Sequence, residues 1–223
     1  MWLMEIAVLA DVHANLPALE AVLEDIGDLD VFCCGDLVGY NPFPNETVEL
    51  FRRQGILGIM GNHDYAVATG DSSRLNAPAK KVVEWTAKEL SADNLKFLSS
   101  LPKSYEDERL SAFHGSPCDP LFDYIFQNTS DEILTSFIGK SSILILGHTH
   151  LPFTREIKGK LVLNPGSVGQ PRDHNSRAAY AVLDLEKQSA VIRRVKYDVD
   201  SVAREIRRQG LPLEFAERLY SGD

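Results

Sequence analysis

Short apolar runs that stop abruptly at polar residues recur along this chain. Residues 6–10 are apolar and end at Asp11, after which residues 17–26 carry Leu19, Val22, Leu23 and Ile26 at helical spacing. A buried strand followed by a helix is the expected pair. Pro17 sits in the first helical turn, where its missing N–H costs nothing, and Asn15 is placed to cap it. Residues 30–34 form a second apolar run, so the beginning of the chain reads as a βαβ unit with a parallel strand pair. The alternation continues with a loop over 39–44, a helix over 45–54 and an apolar strand over 56–60.

Residues 64–101 read as helical, most clearly over 78–90, where Lys81, Glu84 and Lys88 stand beside Val82, Val83 and Trp85. This segment interrupts the strand series, and its sequence leaves open whether it packs on a flank or overhangs a site. The second half is richer in strands, over 110–113, 143–146, 161–163, 179–185 and 190–197. Short polar or glycine-containing links between several of them suit hairpins and an antiparallel portion. Residues 199–220 read as closing helices broken at Gly210-Leu211-Pro212. Two sheets packed face to face and flanked by helices are the expected result.

With 223 residues, one large α/β domain spanning 1–223 is expected rather than two independent units. The composition, 44% apolar and 25% charged, is that of a globular chain with no long disordered tract. Against 32 acidic residues stand 23 basic ones, a net charge of -9, which argues against stable nucleic-acid binding. It does not argue against a phosphate ester, because a bound divalent cation reverses the local field. Residues 1–10 carry no basic leader and are broken by Glu5, unlike a signal peptide, and no stretch approaches the roughly 18 apolar residues of a membrane span. Three cysteines, two of them adjacent, form no disulfide framework and fit a reducing, cytoplasmic compartment. Cys33 and Cys34 read as small buried side chains of a strand.

Five of the six histidines stand in polar clusters at or just after the apolar runs: Asp11-Val12-His13, Gly61-Asn62-His63-Asp64, His114-Gly115 and Gly147-His148-Thr149-His150. Gly35-Asp36 completes the set. Strand ends are where ligands collect in open α/β sheets. Directly after an extended strand, the two-residue spacing of Asp11 and His13 turns both side chains the same way. Singly, each cluster has an ordinary reading as a loop cap, a turn or a surface histidine. All five together do not. Donors drawn from Asp, His and Asn without cysteine favour Mn, Fe, Zn, Co or Ni, and six or seven candidate ligands exceed the needs of one ion, so two are expected.

Taken in order, these five motifs resemble the calcineurin-like metallophosphoesterase superfamily, and Asn164-Pro165-Gly166-Ser167-Val168-Gly169-Gln170-Pro171-Arg172 resembles its small single-domain bacterial and archaeal phosphodiesterase-like branch. The resemblance implies a four-layer α/β/β/α sandwich with two mixed sheets. It also implies a dinuclear enzyme, with manganese as the leading metal, that hydrolyses small phosphodiester or nucleotide-type substrates by attack of a metal-bridging hydroxide. On this resemblance Asp11, His13 and His150 hold one ion, Asn62, His114 and His148 the other, and Asp36 bridges them. His63 would protonate the leaving oxygen or stabilise the transition state, with Asp64 orienting it.

Tyr40 and Asn41, in the loop after Asp36, are candidates for substrate contact, with a purely structural turn as the other reading. Arg172 and Arg177 are candidates to bind phosphate, since guanidinium matches two oxygens at once, against a reading as exposed loop arginines. His174 matches no metal motif and reads as loop surface. Relatives with similar loops are associated with dinucleoside tetraphosphate hydrolysis or protein Ser/Thr dephosphorylation, so both stay as alternatives, as does a nuclease. A non-catalytic scaffold is the alternative of another class, and retention of His63 and all seven ligand positions argues against it. A homo-oligomer stays open.

Overall fold

The computed structural model describes residues 4–223; Met1, Trp2 and Leu3, part of the segment 1–10 read as unlike a signal peptide, lie outside the described residues. The first half runs β1 (Glu5–Leu9), α1 (Leu16–Ile26), β2 (Asp30–Cys33), α2 (Pro44–Arg53), β3 (Leu57–Gly58), α3 (Asn62–Thr69), α4 (Ala77–Glu89) and α5 (Ala92–Ser99). The second half adds β4 (Ser104–Glu106), β5 (Leu110–Phe113), α6 (Asp131–Ile138), β6 (Ile143–Leu146), β7 (Phe153–Ile157), β8 (Lys160–Asn164), β9 (Ala178–Asp184), β10 (Ser189–Val195), α7 (Val199–Arg208) and α8 (Leu213–Ser221).

Two five-stranded mixed sheets result, in the orders β10-β9-β1-β2-β3 and β4-β5-β6-β8-β7. In the first sheet β1, β2 and β3 are parallel, with Ile6 opposite Asp30 and Phe32 opposite Leu57, and β9 and β10 complete it antiparallel. In the second, β5, β6 and β8 are parallel. The antiparallel portion expected of the second half is present, alongside this parallel core. Hairpin partners are confined to β4 with β5, β7 with β8, and β9 with β10. The long connection from β5 to β6 contains α6 and has the length that a parallel crossover requires.

Period-two alternation explains why the central strands are apolar on both faces. From β1, Ile6 and Val8 enter the core between the sheets, while Ala7 and Leu9 enter the core beneath α1 and α2. Cys33 and Cys34 divide in the same way. In β6, Ile143 and Ile145 face the first sheet, and Leu144 and Leu146 pack with Leu134 and Ile138 of α6. These side chains are fully or almost fully buried, the Ile, Val and Leu among them contributing roughly 1.5–3 kcal/mol each. The layers are therefore helices, sheet, sheet and helix.

Local signals set the helix ends. The Asn15 side chain accepts a hydrogen bond from the Ala18 N–H at 3.2 Å, with Pro17 in the first turn of α1. Three expectations needed correction. The strand over 56–60 shrinks to two residues, and the helical segment read from 64 begins two residues earlier, so that Asn62 and His63 lie in the first turn of α3. β4, β7 and α6 are additional elements; β7 is an edge strand whose exposed Thr154 and Glu156 hide its alternation. The closing helices do break where Gly210 and Pro212 stand, and they bury Val202, Ile206, Phe215 and Leu219 against Tyr40 and Val82. Among the described residues no helix is long and apolar enough to cross a membrane.

Candidate metal centre

The parallel strands of both sheets deliver their polar clusters to one edge of the sandwich: Asp11, Asp36 and Asn62 after β1, β2 and β3, and His114, His148 and His150 after β5 and β6. The backbone there departs from extended geometry. Asp11, His13, Asp36, His148 and His150 have φ values of 54°, 48°, 55°, 65° and 61°. The convergence of Asp11 and His13 thus comes from left-handed turns and not from strand alternation. For residues other than glycine this conformation costs about 1–2 kcal/mol each. Long-range hydrogen bonds hold it: Asp11 N to Gly35 O at 3.0 Å, His13 N to Asp36 O at 2.9 Å, and His148 N to Asp11 Oδ2 at 3.1 Å.

The side chains form two groups that share one carboxylate. Asp11, His13 and His150 offer donor atoms within 4.8 Å of one another, as do Asp36, His114 and His148. Asp11 Oδ1 lies 3.3 Å from His150 Nε2 and 3.7 Å from His13 Nε2. Asp36 Oδ2 stands between the groups, 3.6 Å from His13 Nε2 and 3.3 Å from His114 Nε2. Asn62 Oδ1 joins the second group at 3.1 Å from His114 Nε2. Ligands about 2.0–2.2 Å from one cation are about 3.0–3.6 Å apart, so these separations match edges of a coordination shell.

Hydrogen atoms do not explain the closeness of the His13 and His150 donor atoms. His13 Nδ1 donates to Val38 O at 3.1 Å and His150 Nδ1 to Gln170 O at 2.5 Å, which turns both Nε2 lone pairs inward. Those two Nε2 atoms are 3.1 Å apart. Two lone pairs facing at that distance repel unless a cation lies beside both. Asp11 Oδ1 and His148 Nε2 are buried there without a hydrogen-bond partner. The donor set fits divalent cations.

Burial dominates the electrostatics. It pushes His13 well below its ordinary pKa, His148 down to about 2 and His63 down to about 4, so these rings present lone pairs at neutral pH. Burial lowers His150 too, and Arg172 adds to it. His114 behaves differently: burial pulls it down, but Asp36, by charge and hydrogen bond, and Asp11 outweigh this and lift it to about 9. A proton and a metal cation compete for that lone pair. Burial opposes the charge of Asp36, yet His114 and His63 hold the carboxyl well below its usual range.

The site opens into a cleft of about 190 Å³ lined by Tyr40, His63, Asn76, Tyr124, His148 and Arg172 among others. A larger depression of about 1000 Å³ lies between acidic residues such as Glu20, Glu24 and Asp107 and contains none of the clustered histidines, so the chemistry belongs to the smaller cleft. His63 is 3% exposed, its ring centroid 4.5 Å from that of Tyr40 and 4.9 Å from that of His13, and its Nδ1 has no hydrogen-bond partner. Its donor atom also lies within 4.8 Å of those of His13 and Asp36.

Three other candidates fall elsewhere. Asp64 does not meet the His63 ring through a hydrogen bond; its carboxylate accepts from the N–H groups of Leu37, Val38 and Gly61 at 3.0–3.1 Å, tying the Asp36 loop to the start of α3. Burial and Asp36 raise it to about 6. Asn41 is fully buried and donates to His13 O and Gly169 O, bracing loops instead of lining the cleft. Arg177 is exposed and bonds Asn175; His174 is the surface residue it was read as, beside Asp223. Arg172 does reach the cleft, 3.3 Å from the Tyr40 hydroxyl.

Sequence reasoning left Ser167 and Asn164 without individual roles. Ser167 Oγ donates to Asp11 O, and Asn164 Nδ2 donates to Gly147 O and Thr149 Oγ1. Arg74, Leu75, Asn76 and Ala79 line one wall, so the start of α4 overhangs the site. Phe122 and Tyr124, in an aperiodic loop, carry no sequence signal at all. Gly61 is required for close packing, since a Cβ there would run into the Asp36 N and Oδ1 atoms. Gly61→Ala is expected to lower stability by about 1–3 kcal/mol and to weaken cation binding. Urea unfolding with a metal titration checks it, and an unchanged midpoint with full metal binding would show that the turn has slack.

Comparison with known proteins agrees with this architecture. The sequence profile of the calcineurin-like phosphoesterase superfamily domain matches residues 4–188. Protein MJ0912 of Methanocaldococcus jannaschii is 37% identical, with 97% of this chain and 98% of its own length aligned. Phosphodiesterase YfcE of Escherichia coli K12 is 28% identical over 85% of this chain and 92% of its own length. A crystal structure of a metallophosphoesterase from Sphaerobacter thermophilus superposes with a TM-score of 0.86 at 34% identity, covering 99% of each chain.

Proposed function

Because the chain belongs to the calcineurin-like phosphoesterase superfamily, we propose that it hydrolyses small phosphodiesters with the help of two divalent cations. The observation that carries this reading is the pair of inward-facing donor groups joined by one oxygen, Asp36 Oδ2, 3.6 Å from His13 Nε2 and 3.3 Å from His114 Nε2. Asp11, His13 and His150 would hold one cation, Asn62, His114 and His148 the other, with Asp36 between them. Bound there, such cations supply Lewis-acid polarisation of phosphoryl oxygens and a water of lowered pKa. Manganese is the first ion to try. The likeness to a phosphodiesterase supports a diester substrate.

The chain's own residues do the rest. Arg172 is half-buried at the cleft, and no ion pair among the described residues engages it, so its guanidinium is available to a non-bridging phosphate oxygen. The Tyr40 hydroxyl fixes its approach at 3.3 Å. His63, neutral because burial holds it at about 4, enters the cleft able to donate a hydrogen bond from one ring nitrogen. An anionic ester beside it favours the protonated form, which is suited to hand a proton to the departing oxygen.

The test is hydrolysis of bis-p-nitrophenyl phosphate. With Mn²⁺ the protein is expected to cleave it faster than the corresponding monoester, to lose the activity to a chelator and to regain it on restoring the ion. Failure to cleave any ester with Mn, Ni, Co, Fe or Zn would overturn the reading in favour of a non-catalytic scaffold.

A further inference from the structure

We propose that Tyr124, which lines the cleft, and Phe126 beside it form a stacking platform for a nucleobase, so that nucleoside-bearing phosphate esters are the substrate class. This rests on the phosphoesterase reading above and adds to it a subsite outside the seven candidate ligands. The two rings alternate with Ile125, which is 8% exposed and belongs to the core under α6, so both rings are thrown to the outer side of the loop. Tyr124 is 54% and Phe126 41% exposed, and their planes lie within 12° of parallel with centroids 6.2 Å apart. Single exposed aromatics are ordinary on protein surfaces. An aligned pair that starts at a ring lining the cleft and continues outward from it is not accounted for by packing.

Distance ties the pair to the chemistry. The Tyr124 ring centroid is 4.0 Å from that of His148, a candidate cation ligand, so an ester bound at the centre passes this ring as it leaves the cleft. The cleft holds about 190 Å³, below the roughly 300–1,000 Å³ of pockets that enclose a drug-sized ligand. It has room for the phosphoryl group, and the remainder of the ester must lie across the rim. A flat, polarisable base gains most from such a surface, because every base offers a π-face to an aromatic ring.

Polar groups on the facing wall suit the same occupant. Arg74 is held by Asp119 at 2.6 Å and lies 4.0 Å over the Phe122 ring, which presents a cationic stacking surface. Asn76 uses its Oδ1 to cap α4 through the Ala79 N–H, which leaves its amide N–H groups to donate into the cleft it lines. An alkyl ester would leave both the rings and these donors unused, and a glyceryl ester would leave the rings unused.

The test is calorimetric binding in Mn²⁺, with adenosine 5′-phosphorothioate compared with ribose 5-phosphorothioate, which differ only in the base and resist hydrolysis. The adenosine ligand is expected to bind about tenfold or more tightly, in line with the stacking of one base. Tyr124→Ala and Phe126→Ala should each bring the ratio of the two affinities toward one, and Tyr124→Phe should preserve it. Equal affinities in the unmodified protein would overturn the proposal. So would a Tyr124→Ala variant in which both ligands weaken in parallel, because the ring would then serve only to pack His148; Phe126, which is not in ring contact with that histidine, repeats the test independently. If neither ligand nor inorganic phosphate binds and bis-p-nitrophenyl phosphate is not cleaved, the phosphoesterase reading fails first and this proposal falls with it.

Discussion

His63→Ala is expected to keep its cations and to lose turnover by about 10²–10⁴, the usual contribution of a positioned proton donor. The structure separates the two jobs of this residue. Its backbone N–H donates to Asp36 Oδ1 at 2.8 Å and helps to aim the shared carboxylate, and that bond survives the substitution. The side chain instead lines the cleft, with Nδ1 free of any hydrogen-bond partner. The loss should be larger for an alkyl leaving group than for p-nitrophenolate, which departs without help. Metal content by elemental analysis and kcat on both esters provide the check. If the cations leave along with the activity, His63 is a ligand, as the proximity of its donor atom to those of His13 and Asp36 permits.

Asp36→Asn should do the reverse and lose both. The substitution keeps the shape and the Oδ1 that receives the His63 N–H, but it removes the anionic Oδ2 shared by His13 and His114. Losing even an outer partner of a metal site typically costs 10–100-fold in affinity, so removing the shared carboxylate is expected to cost at least about 100-fold. It also leaves the buried His114 ring, lifted to about 9 chiefly by Asp36, without its main anionic partner. A direct titration with Mn²⁺ alongside kcat measures the effect. A variant that binds two equivalents at the original affinity would show that Asp36 does not join the groups. Side by side, the two variants distinguish a residue that does chemistry from one that holds the site together.

The helical segment after Asp64 shows where sequence reading stops. Its helicity was plain from the spacing of Val82, Val83 and Trp85, but whether it flanked or overhung a site depended on partners far along the chain. Its start, at Asn76 and Ala79, is fixed over the cleft because α7 and α8 pack on the same helix as Tyr40 does. Asp64 illustrates a different limit. A carboxylate beside a histidine reads as its orienting partner, yet three backbone N–H groups compete for it and win, since buried amides left unpaired are costly.

By itself the sequence determined the central apolar strands, the amphipathic helices and which atoms can bind a cation, but not the short elements β4, β7 and α6. Apolar run length and period follow from burial, and His, Asp and Asn side chains carry their donor atoms wherever they are placed. The tertiary structure alone decided where those atoms point. Positive φ at Asp11, His13, Asp36, His148 and His150 is unfavourable locally, so no local propensity announces it. It exists because distant groups support the loops: Val38 O under His13, Gln170 O under His150, and Ser167 Oγ on Asp11 O. The rim at Tyr124 and Phe126 belongs to the same class, since two exposed rings in an aperiodic loop acquire meaning only from the histidine beside them.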